Sequence, residues 1–533
     1  MSSLTPTADQ NPGSFTRAWS GRRRWPVLSV AGGAIASGLV LLPLAFLLNQ
    51  AGRSGWGEVS RLLFRHSTAV LLWNTARLAF ASTALCALLG VAAAWCVERT
   101  NLPARRLWAV ALVLPLGIPD FVIGFGWVSI DPSLHGYLAA LMIMTLSLYP
   151  LVYLPVAAGL ARADPALEEV ARSLGLGAWQ TFRRVTLPQI WPAVLGGCLL
   201  VTLGLLAEYG AFEIVQYQTF TVAIFTEFKL GFDAAAACAL SLVLVAIGIV
   251  VLGGELTLAG RNRGTGTRPR EGARRPSSAV ALGRLTVPVL AGVFALVGLA
   301  LGVPIGALVY WLVHGGSTTL PSASILTEAG HTAVFSAAAA ALATTLAVPV
   351  CALSVRHRNR FTLAIERLAY LPQALPGLVI ALGLVSFTIR YALPLYQSTL
   401  ELIVAYAILF LPLAVVGVRA AMVHASSSVL EDVARSLGRR PVTVWLRVTL
   451  PVIRPGLGAA FALVFVSSAT ELTATLLLRP TGVNTLATQF WTYTSDFSYG
   501  AAAPYAAVMV AISAVPAYVL SRRVSALARI GQS

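Results

Sequence analysis

Two carboxylates, Glu208 and Glu471, stand in long apolar stretches and are separated by 263 residues. If these stretches cross a membrane, each carboxylate costs about 2.5 to 3.5 kcal/mol to insert, so it should face a polar cavity or a partner. One interpretation is a pair near the axis between two halves that lines a route suited to a cation. The other is a pair that holds helices together through neighbouring hydroxyls such as those of Thr470 or Thr202. The sequence favours neither.

A third carboxylate, Asp120, follows Pro119 in an apolar stretch that glycines and prolines interrupt. We expect Asp120 either to line the same route or to cap a half-helix. The matching position later in the chain is Gly377, so Asp120 has no acidic counterpart there.

Other residue types that could do chemistry lack the required spacing. The five cysteines form no CxxC pair and the six histidines show no metal-ligand spacing, so we predict no metal site. No HExxH or GxSxG pattern occurs, so we expect no catalytic residues in this chain. Phenolates bind ferric ions, but an aromatic belt or loop packing is the favoured interpretation of four tyrosines. These are Tyr209, Tyr217, Tyr493 and Tyr499.

A polar segment occurs twice, at residues 169–188 and 432–451, again with an offset of 263. The two copies read EVARSLGLGAWQTFRRVTLP and DVARSLGRRPVTVWLRVTLP. With the residues that should start each helix, the loops cover 164–188 and 427–451. For one copy an interfacial amphipathic helix would be an adequate explanation. The duplication instead indicates a duplicated membrane protein with two docking elements for a two-fold partner.

Local signals in the two loops predict where their helices begin. Asp164 and Pro165 supply an N-cap and a first-turn proline, and Ser428 stands three residues before Glu431, the spacing of a capping box. Each loop should therefore start a short helix.

Further signals predict where these helices end. Gly175 and Gly438 are placed to terminate the first helix, and Pro188 and Pro451 should stop the second before the next span begins. We expect a helix, a tight bend and a second helix along the membrane surface. One face of it would present Trp179 and Phe182, or Val442 and Trp445, to a groove in a partner.

The composition places the chain in the membrane class, because 57% of its residues are hydrophobic and only 11% are charged. The net charge of +17 comes from arginines clustered between alternate apolar stretches, which is the positive-inside pattern and not a nucleic-acid signature. Lys229 is the only lysine and lacks the glycines of a phosphate-binding loop, so we expect no nucleotide site of the chain's own.

Counting about 20 apolar residues per span predicts an all-α, polytopic membrane protein with twelve transmembrane helices as two tandem six-helix halves. The predicted spans are 27–48, 68–97, 107–128, 136–161, 191–213, 234–259, 285–313, 331–355, 366–389, 399–424, 455–478 and 500–521. The predicted units are a cytoplasmic N-terminal segment 1–26, a first half 27–259, a cytoplasmic linker 260–284, a second half 285–522 and a cytoplasmic tail 523–533. Both termini and both loops then lie in the cytoplasm.

The repeated segment resembles the EAA loop of ABC importer permeases. The residues in these two loops that we assign to coupling are Glu168, Glu169, Ala171, Gly175, Leu187 and Pro188, and Glu431, Asp432, Ala434, Gly438, Leu450 and Pro451. The copies depart from the family pattern through Asp432 and through Val170 and Val433, which keep charge and apolarity.

This resemblance implies a pair of type I importer permease halves in a bacterial inner membrane. The loops would bind a cytoplasmic ATPase homodimer that carries the ATP, and a solute-binding protein would deliver cargo from outside. The chain itself would bind no cofactor and no nucleic acid.

The fused two-half architecture is similar to that of ferric-iron permeases, through segments beginning at Glu208 and Thr470. This similarity implies ferric iron as cargo, although Thr473 stands where that family usually has proline. Import of thiamine or another small organic solute is the main alternative. A secondary transporter driven by an ion gradient is a rival of a different class, but it leaves the duplicated loops unexplained.

Overall fold

The computed structural model describes residues 27–53, 55–231, 233–262, 280–316, 323–357, 359–426 and 430–530. Within these ranges the chain is helical, and the one β-bridge joins Thr100 to Val280. The predicted all-α class is therefore confirmed for the described part of the chain. Residues 1–26, most of the predicted linker and Ser428 lie outside it.

The first repeat contains helices α1 to α12. They are α1 (Val27–Arg53), α2 (Trp56–Leu63), α3 (His66–Arg99), α4 (Arg105–Ala111), α5 (Asp120–Val128), α6 (Gly136–Arg162), α7 (Pro165–Ser173), α8 (Ala178–Thr181), α9 (Leu187–Ala207), α10 (Gly210–Ile214), α11 (Phe220–Lys229) and α12 (Ala234–Asn262). A 3-10 turn spans Leu114–Gly117, and a π turn spans Phe182–Thr186.

The second repeat contains helices α13 to α25. They are α13 (Thr286–Val297), α14 (Val303–His314), α15 (Ala323–Arg356), α16 (Arg360–Tyr370), α17 (Gly377–Tyr391), α18 (Thr399–Leu409), α19 (Leu411–Ser426), α20 (Leu430–Ser436), α21 (Pro441–Val444), α22 (Leu450–Ala469), α23 (Thr473–Leu478), α24 (Leu486–Ser495) and α25 (Tyr499–Ile530). A 3-10 turn spans Leu371–Ala374, and π turns span Gly298–Gly302 and Trp445–Thr449.

Eight helices in the described ranges are long and apolar enough to cross a membrane, and three bent pairs raise the total to at most eleven. The apolar part of α25, Tyr499–Ala514, is shorter than a full span. Length and hydropathy thus support eight to eleven of the twelve predicted spans.

The third predicted span of each half is bent and not continuous. The helical pieces on either side of Pro119 meet at 93°, and those on either side of Pro376 meet at 106°. Both prolines force the preceding residue, Ile118 or Leu375, into an extended conformation, where an α-helix cannot continue. A smaller bend of 55° separates α18 from α19.

The fifth predicted span of each half is also shorter than expected. Helix α9 ends at Ala207 and helix α22 ends at Ala469, so Glu208 and Glu471 follow these helices and do not lie well inside them. A short second helix, α10 or α23, begins just beyond each carboxylate.

The first predicted span of each repeat, α1 in one and α13 with α14 in the other, packs against the other repeat. Helix α1 lies on α15 and α17, and helix α14 lies on α5. A Cβ built on Gly383 would lie 2.6 Å from the Cα of Pro43, and one built on Gly126 would lie 2.7 Å from the Cα of Pro304. These glycines allow close approach of the helices. Each of the two large hydrophobic clusters contains side chains from both repeats, so the repeats are interlocked.

Helices α3 and α15 carry a threonine at the same position, Thr75 and Thr332. The Thr75 hydroxyl accepts a hydrogen bond from the Phe220 N–H at 3.2 Å, and the Thr332 hydroxyl accepts one from the Leu486 N–H at 2.9 Å. Each bond satisfies a backbone N–H in the first turn of α11 or α24, so the two repeats are equivalent at this contact.

Candidate coupling loops and pathway residues

The first loop begins as the sequence predicts. The Asp164 side chain caps helix α7 by accepting a hydrogen bond from the Ala166 N–H at 2.9 Å, and Pro165 occupies the first turn.

Both loops turn at the predicted glycines. Gly175 has a φ of +84° and Gly438 a φ of +73°, left-handed conformations in which a side chain is strained. The following amide then reaches back across the bend, from Leu176 to the Ala171 carbonyl at 3.1 Å and from Arg439 to the Ala434 carbonyl at 3.3 Å. This is the Schellman pattern of helix termination, so the two alanines in the loop motif supply the accepting carbonyls.

The prediction that Pro188 and Pro451 stop the chain is wrong. In each copy a π turn joins the short loop helix to the next long helix, and the first loop and its span form one continuous helix, Ala178–Ala207. The Leu187 N–H bonds to the Phe182 carbonyl across the wide turn. A π turn widens the spacing of the backbone carbonyls just before the proline, which has no N–H to donate. The helix can therefore continue through the proline.

A buried carboxylate anchors the first loop. Glu168 is 6% exposed and accepts a hydrogen bond from the Thr186 hydroxyl at 2.9 Å. The Arg99 guanidinium, at the end of α3, lies 3.3 Å away, and the more exposed Arg172 lies 3.7 Å away. We call Arg99, Glu168 and Thr186 the first clamp.

The second loop has the same anchor. Glu431 is 8% exposed and accepts hydrogen bonds from the Arg356 guanidinium and the Thr449 hydroxyl, each at 2.6 Å. We call Arg356, Glu431 and Thr449 the second clamp. Both clamps tie a loop helix to the end of a 34-residue helix, α3 or α15.

The sequence reasoning assigned the two glutamates to the loops but missed their partners. The threonines had a visible signal, because RVTLP ends both copies of the repeat. The arginines had none, since Arg99 and Arg356 lie far from the loops in sequence and stood among many basic residues.

The first clamp has an additional neighbour that the second lacks among the described residues. Val280, which follows the central basic segment, donates its N–H to the Arg99 carbonyl at 2.9 Å and accepts from the Asn101 N–H at 3.2 Å. The Asn101 side chain accepts from the Leu282 N–H at 2.9 Å. The start of the second repeat is thereby attached beside the first loop.

Each loop exposes apolar side chains next to its turn. In the first loop Leu174 is 77% exposed and Trp179, stacked on Phe182 at 5.6 Å, is 71% exposed. In the second loop Leu437 is 74% exposed and Val442 is 66% exposed. Glu169 is exposed in the first loop, and the Asp432 side chain lies outside the described set. Such surfaces are suited to a groove in a partner.

Glu208 and Glu471 cap the short helices that follow them. Glu208 accepts from the Ala211 N–H at 2.7 Å. Glu471 accepts from the Ala474 N–H at 3.0 Å and from the Thr475 N–H and hydroxyl at 3.1 and 3.0 Å. Both side chains are only partly buried. The carboxylates therefore sit at breaks in their spans, where negative charge is favourable at a helix N-terminus.

The hydroxyl partners suggested by the sequence are wrong. The Thr202 hydroxyl lies 3.0 Å from that of Thr83, and the Thr470 hydroxyl donates to the Val466 carbonyl at 3.1 Å. Neither hydroxyl bonds to the neighbouring carboxylate, because Thr470 bonds back to a carbonyl of its own helix and Thr202 pairs with Thr83 of α3.

Asp120 stands at the first position of α5, directly after the bend, and accepts a hydrogen bond from the Ser147 hydroxyl. Both Asp120 and Glu471 interact electrostatically with Glu208, so the three predicted carboxylates lie in one region. At Gly377, the counterpart of Asp120, an added Cβ would lie 2.9 Å from the Glu471 carboxylate. In the described residues no group of three His, Cys, Asp or Glu side chains could hold a metal ion.

The four tyrosines weighed as iron ligands all contact neighbouring side chains. Tyr209 packs on Phe225 with ring centroids 4.5 Å apart, and the Tyr217 hydroxyl accepts from Arg77 at 2.9 Å. Tyr499 packs among aromatic rings. Tyr493 packs on Tyr505 with ring centroids 5.7 Å apart.

Comparison with known proteins gives a consistent set of relatives. The family described as binding-protein-dependent transport system inner membrane component matches the chain twice, at residues 87–256 and 342–528. The Fe(3+)-transport system permease protein FbpB 2 of Haemophilus influenzae is 40% identical over 489 residues, which cover 90% of this chain and 95% of the relative.

Two sulfate transport system permeases match a smaller part of the chain. CysT of Escherichia coli is 26% identical over 42% of this chain and 88% of its own length. CysW of Synechocystis is 30% identical over 40% of this chain and 85% of its own length.

Proposed function

Because the chain belongs to the family of binding-protein-dependent transport system inner membrane components, we propose that it is the permease subunit of an ABC importer for ferric iron. The observation that supports ferric iron as the cargo is the 40% identity to an Fe(3+)-transport permease across nearly the whole length of both proteins. The chain thus supplies both permease halves of the complex.

The proposed topology has twelve spans, with the termini, the central linker and both loops in the cytoplasm. Support comes from the arginines clustered at the loop side and from α25, whose apolar part Tyr499–Ala514 would begin the twelfth span. The proposed units are residues 1–26, 27–259, 260–284, 285–522 and 523–533.

The two loops are proposed to dock on a cytoplasmic ATPase homodimer, which binds and hydrolyses the ATP. The exposed apolar side chains beside Gly175 and Gly438 would fill grooves in the two ATPase subunits. Each clamp then passes loop movement to a long helix, because Glu168 holds Arg99 of α3 and Glu431 holds Arg356 of α15. The resulting motion alternates access to the path.

The path is proposed to pass Glu208, Glu471 and Asp120, and a solute-binding protein is proposed to deliver the cargo from outside. Partly exposed carboxylates at breaks in the spans favour a cation and disfavour an anion. This charge is one reason to prefer iron to sulfate. A second reason is that the sulfate permeases match only 42% and 40% of this chain, at 26% and 30% identity.

Uptake of radiolabelled ferric iron tests the proposal in cells that lack only this gene and keep the ATPase and the solute-binding protein of the same system. Cells would receive the wild type, a Gly175→Pro, Gly438→Pro double variant, or Gly177→Ala as a control. Proline cannot adopt the φ of +84° and +73° at the two turns, whereas nothing lies within 4 Å of a Cβ added at Gly177.

We expect uptake with the wild type and the control but not with the double variant. If the wild type restores uptake of thiamine or sulfate but not of iron, the iron assignment is wrong and the importer assignment stands. If the double variant transports iron normally, the loops do not couple transport to ATP hydrolysis.

A further inference from the structure

One buried carboxylate outside the loops and the proposed path has an oxygen without a partner. Glu328, in the second turn of α15, is 8% exposed, and no described residue forms a hydrogen bond with its Oε2. Glu401 shows the usual arrangement for comparison: it is 5% exposed, and Thr388 and the Gln397 N–H each donate to one of its oxygens at 2.8 Å. An unpaired buried carboxylate oxygen is costly, so it calls for a partner such as an ion or a water molecule.

Two side chains of types that can bind metals, Tyr505 and His331, lie next to Glu328. The Tyr505 hydroxyl lies within hydrogen-bonding reach of the Glu328 carboxylate, so only Oε2 lacks a partner, and it lies 3.1 Å from the Ser324 hydroxyl. His331, one turn along α15, has its Nδ1 3.1 Å from the Asn484 carbonyl. A carbonyl only accepts, so Nδ1 is the donor in this contact and Nε2 is the ring nitrogen left to bind a metal.

The group occurs only in the second repeat, although the surrounding architecture occurs in both. The position that matches Glu328 is Leu71, and the position that matches His331 is Asn74, whose side chain donates to the Gln218 carbonyl at 3.1 Å. The fold therefore forms this turn without a carboxylate, so Glu328 is not required by the architecture of the helix.

The group lies at the end of α15 opposite to the second clamp. Glu328 and Arg356 are 28 residues apart on one helix, which corresponds to about 42 Å at 1.5 Å per residue. This distance exceeds the hydrocarbon thickness of a bilayer, about 30 Å. If the loops are cytoplasmic, as proposed, Glu328 is at the outer surface, where cargo arrives.

We propose that Glu328, Tyr505 and His331 form a receiving site for the cargo cation at the outer end of the permease. This inference rests on the proposed function. Carboxylate and phenolate oxygens are hard ligands suited to a small, highly charged cation such as ferric iron, and an imidazole completes three protein ligands. Tyr505 would release its proton when it binds the cation. With only three protein ligands, the site holds the cation loosely enough to pass it on.

Ferric binding to the purified full-length permease in lipid nanodiscs tests the site, with ferric citrate as the probe. A tyrosine bound to ferric iron gives a visible ligand-to-metal charge-transfer band, which a purely structural role would not produce. The variants are Glu328→Gln and Tyr505→Phe, and the control is Glu401→Gln, a buried carboxylate with both oxygens bonded. Monodisperse elution of each variant on size exclusion shows that it is folded.

We expect a saturable band with the wild type and with Glu401→Gln, no band with Tyr505→Phe, and affinity lowered about tenfold or more with Glu328→Gln. Wild-type protein without a band, or a band that both test variants retain, would overturn the site. Cellular ferric uptake separates this result from the proposed function: uptake by a wild type that shows no band leaves the importer intact and removes only the receiving site.

Discussion

Replacing Glu431 with Gln tests whether the second clamp holds its loop. The substitution keeps the shape of the side chain but removes its charge from Arg356 and weakens the bond from Thr449, both at 2.6 Å. Glu431 is 8% exposed, so the guanidinium would lose a partner in a poorly solvated place. We expect α20 to detach from the end of α15 more often than in the wild type.

The size of the effect follows from burial. Breaking a fully buried ion pair costs about 3 to 5 kcal/mol, whereas an exposed pair contributes at most about 1 kcal/mol. The Arg356 side chain is 28% exposed, which places this clamp between the two limits, at about 2 kcal/mol. A change of that size raises the open population of the loop about 30-fold.

Hydrogen–deuterium exchange of the permease in nanodiscs, without its ATPase, measures that opening. Peptides covering α20 should exchange about 30-fold faster in Glu431→Gln. Arg172→Gln is the control in the first loop, because its partner is 3.7 Å away and its side chain is 36% exposed, so α7 should change little. Exchange of α20 at the wild-type rate, or an equal effect of Arg172→Gln on α7, would refute the clamp.

Three further substitutions test other parts of the structure. Gly383→Leu should lower the yield of folded protein severalfold, because its side chain would overlap Pro43 where α1 crosses to the second repeat. Thr75→Val should cost about 1 to 3 kcal/mol and lower the melting temperature, because the buried Phe220 N–H loses its acceptor. Asp120→Asn should reduce iron uptake about tenfold while leaving ATPase binding unchanged, as measured by co-purification.

Each of these three has an outcome that contradicts it. Gly306→Leu, at a glycine with nothing within 4 Å, should fold normally, and equal loss of yield there would show that α1 packing is not the cause. A Thr75→Val protein as stable as the wild type would mean that another group or water satisfies the amide. Normal uptake by Asp120→Asn would remove that residue from the path.

The loops could be predicted well because their signals are local and occur twice. Asp164, Gly175 and Gly438 each act through hydrogen bonds within a few residues, so a capping residue or a glycine in sequence determines the turn in the structure. The duplication doubled the glycine signal, because Gly175 and Gly438 both turn the chain. The clamp partners are contacts between residues far apart in the chain, and no local pattern contains that information.

The helix boundaries show where local rules fail. Proline was expected to end the loop helix at Pro188, but a π turn lets the helix continue through it. Conversely, apolar stretches around Pro119 and before Glu208 were long enough to span a membrane, yet they bend or end there. Hydropathy measures whether a stretch can enter the bilayer, whereas its continuity depends on which tertiary partners satisfy the backbone at a break.

The two repeats agree and differ in a consistent pattern. They agree at the clamps, where Glu168 and Glu431 make the same contacts, and the proposed partner there is a two-fold symmetric ATPase dimer. They differ at Asp120, whose equivalent position in the other repeat is Gly377, and at Glu328, whose equivalent position is Leu71. A single cation crossing the membrane has no two-fold symmetry, so one set of ligands suffices for it. Duplication preserves the docking surface because both copies are used. Along the proposed cargo route it keeps the pair Glu208 and Glu471 but leaves positions such as Asp120 and Glu328 free to diverge.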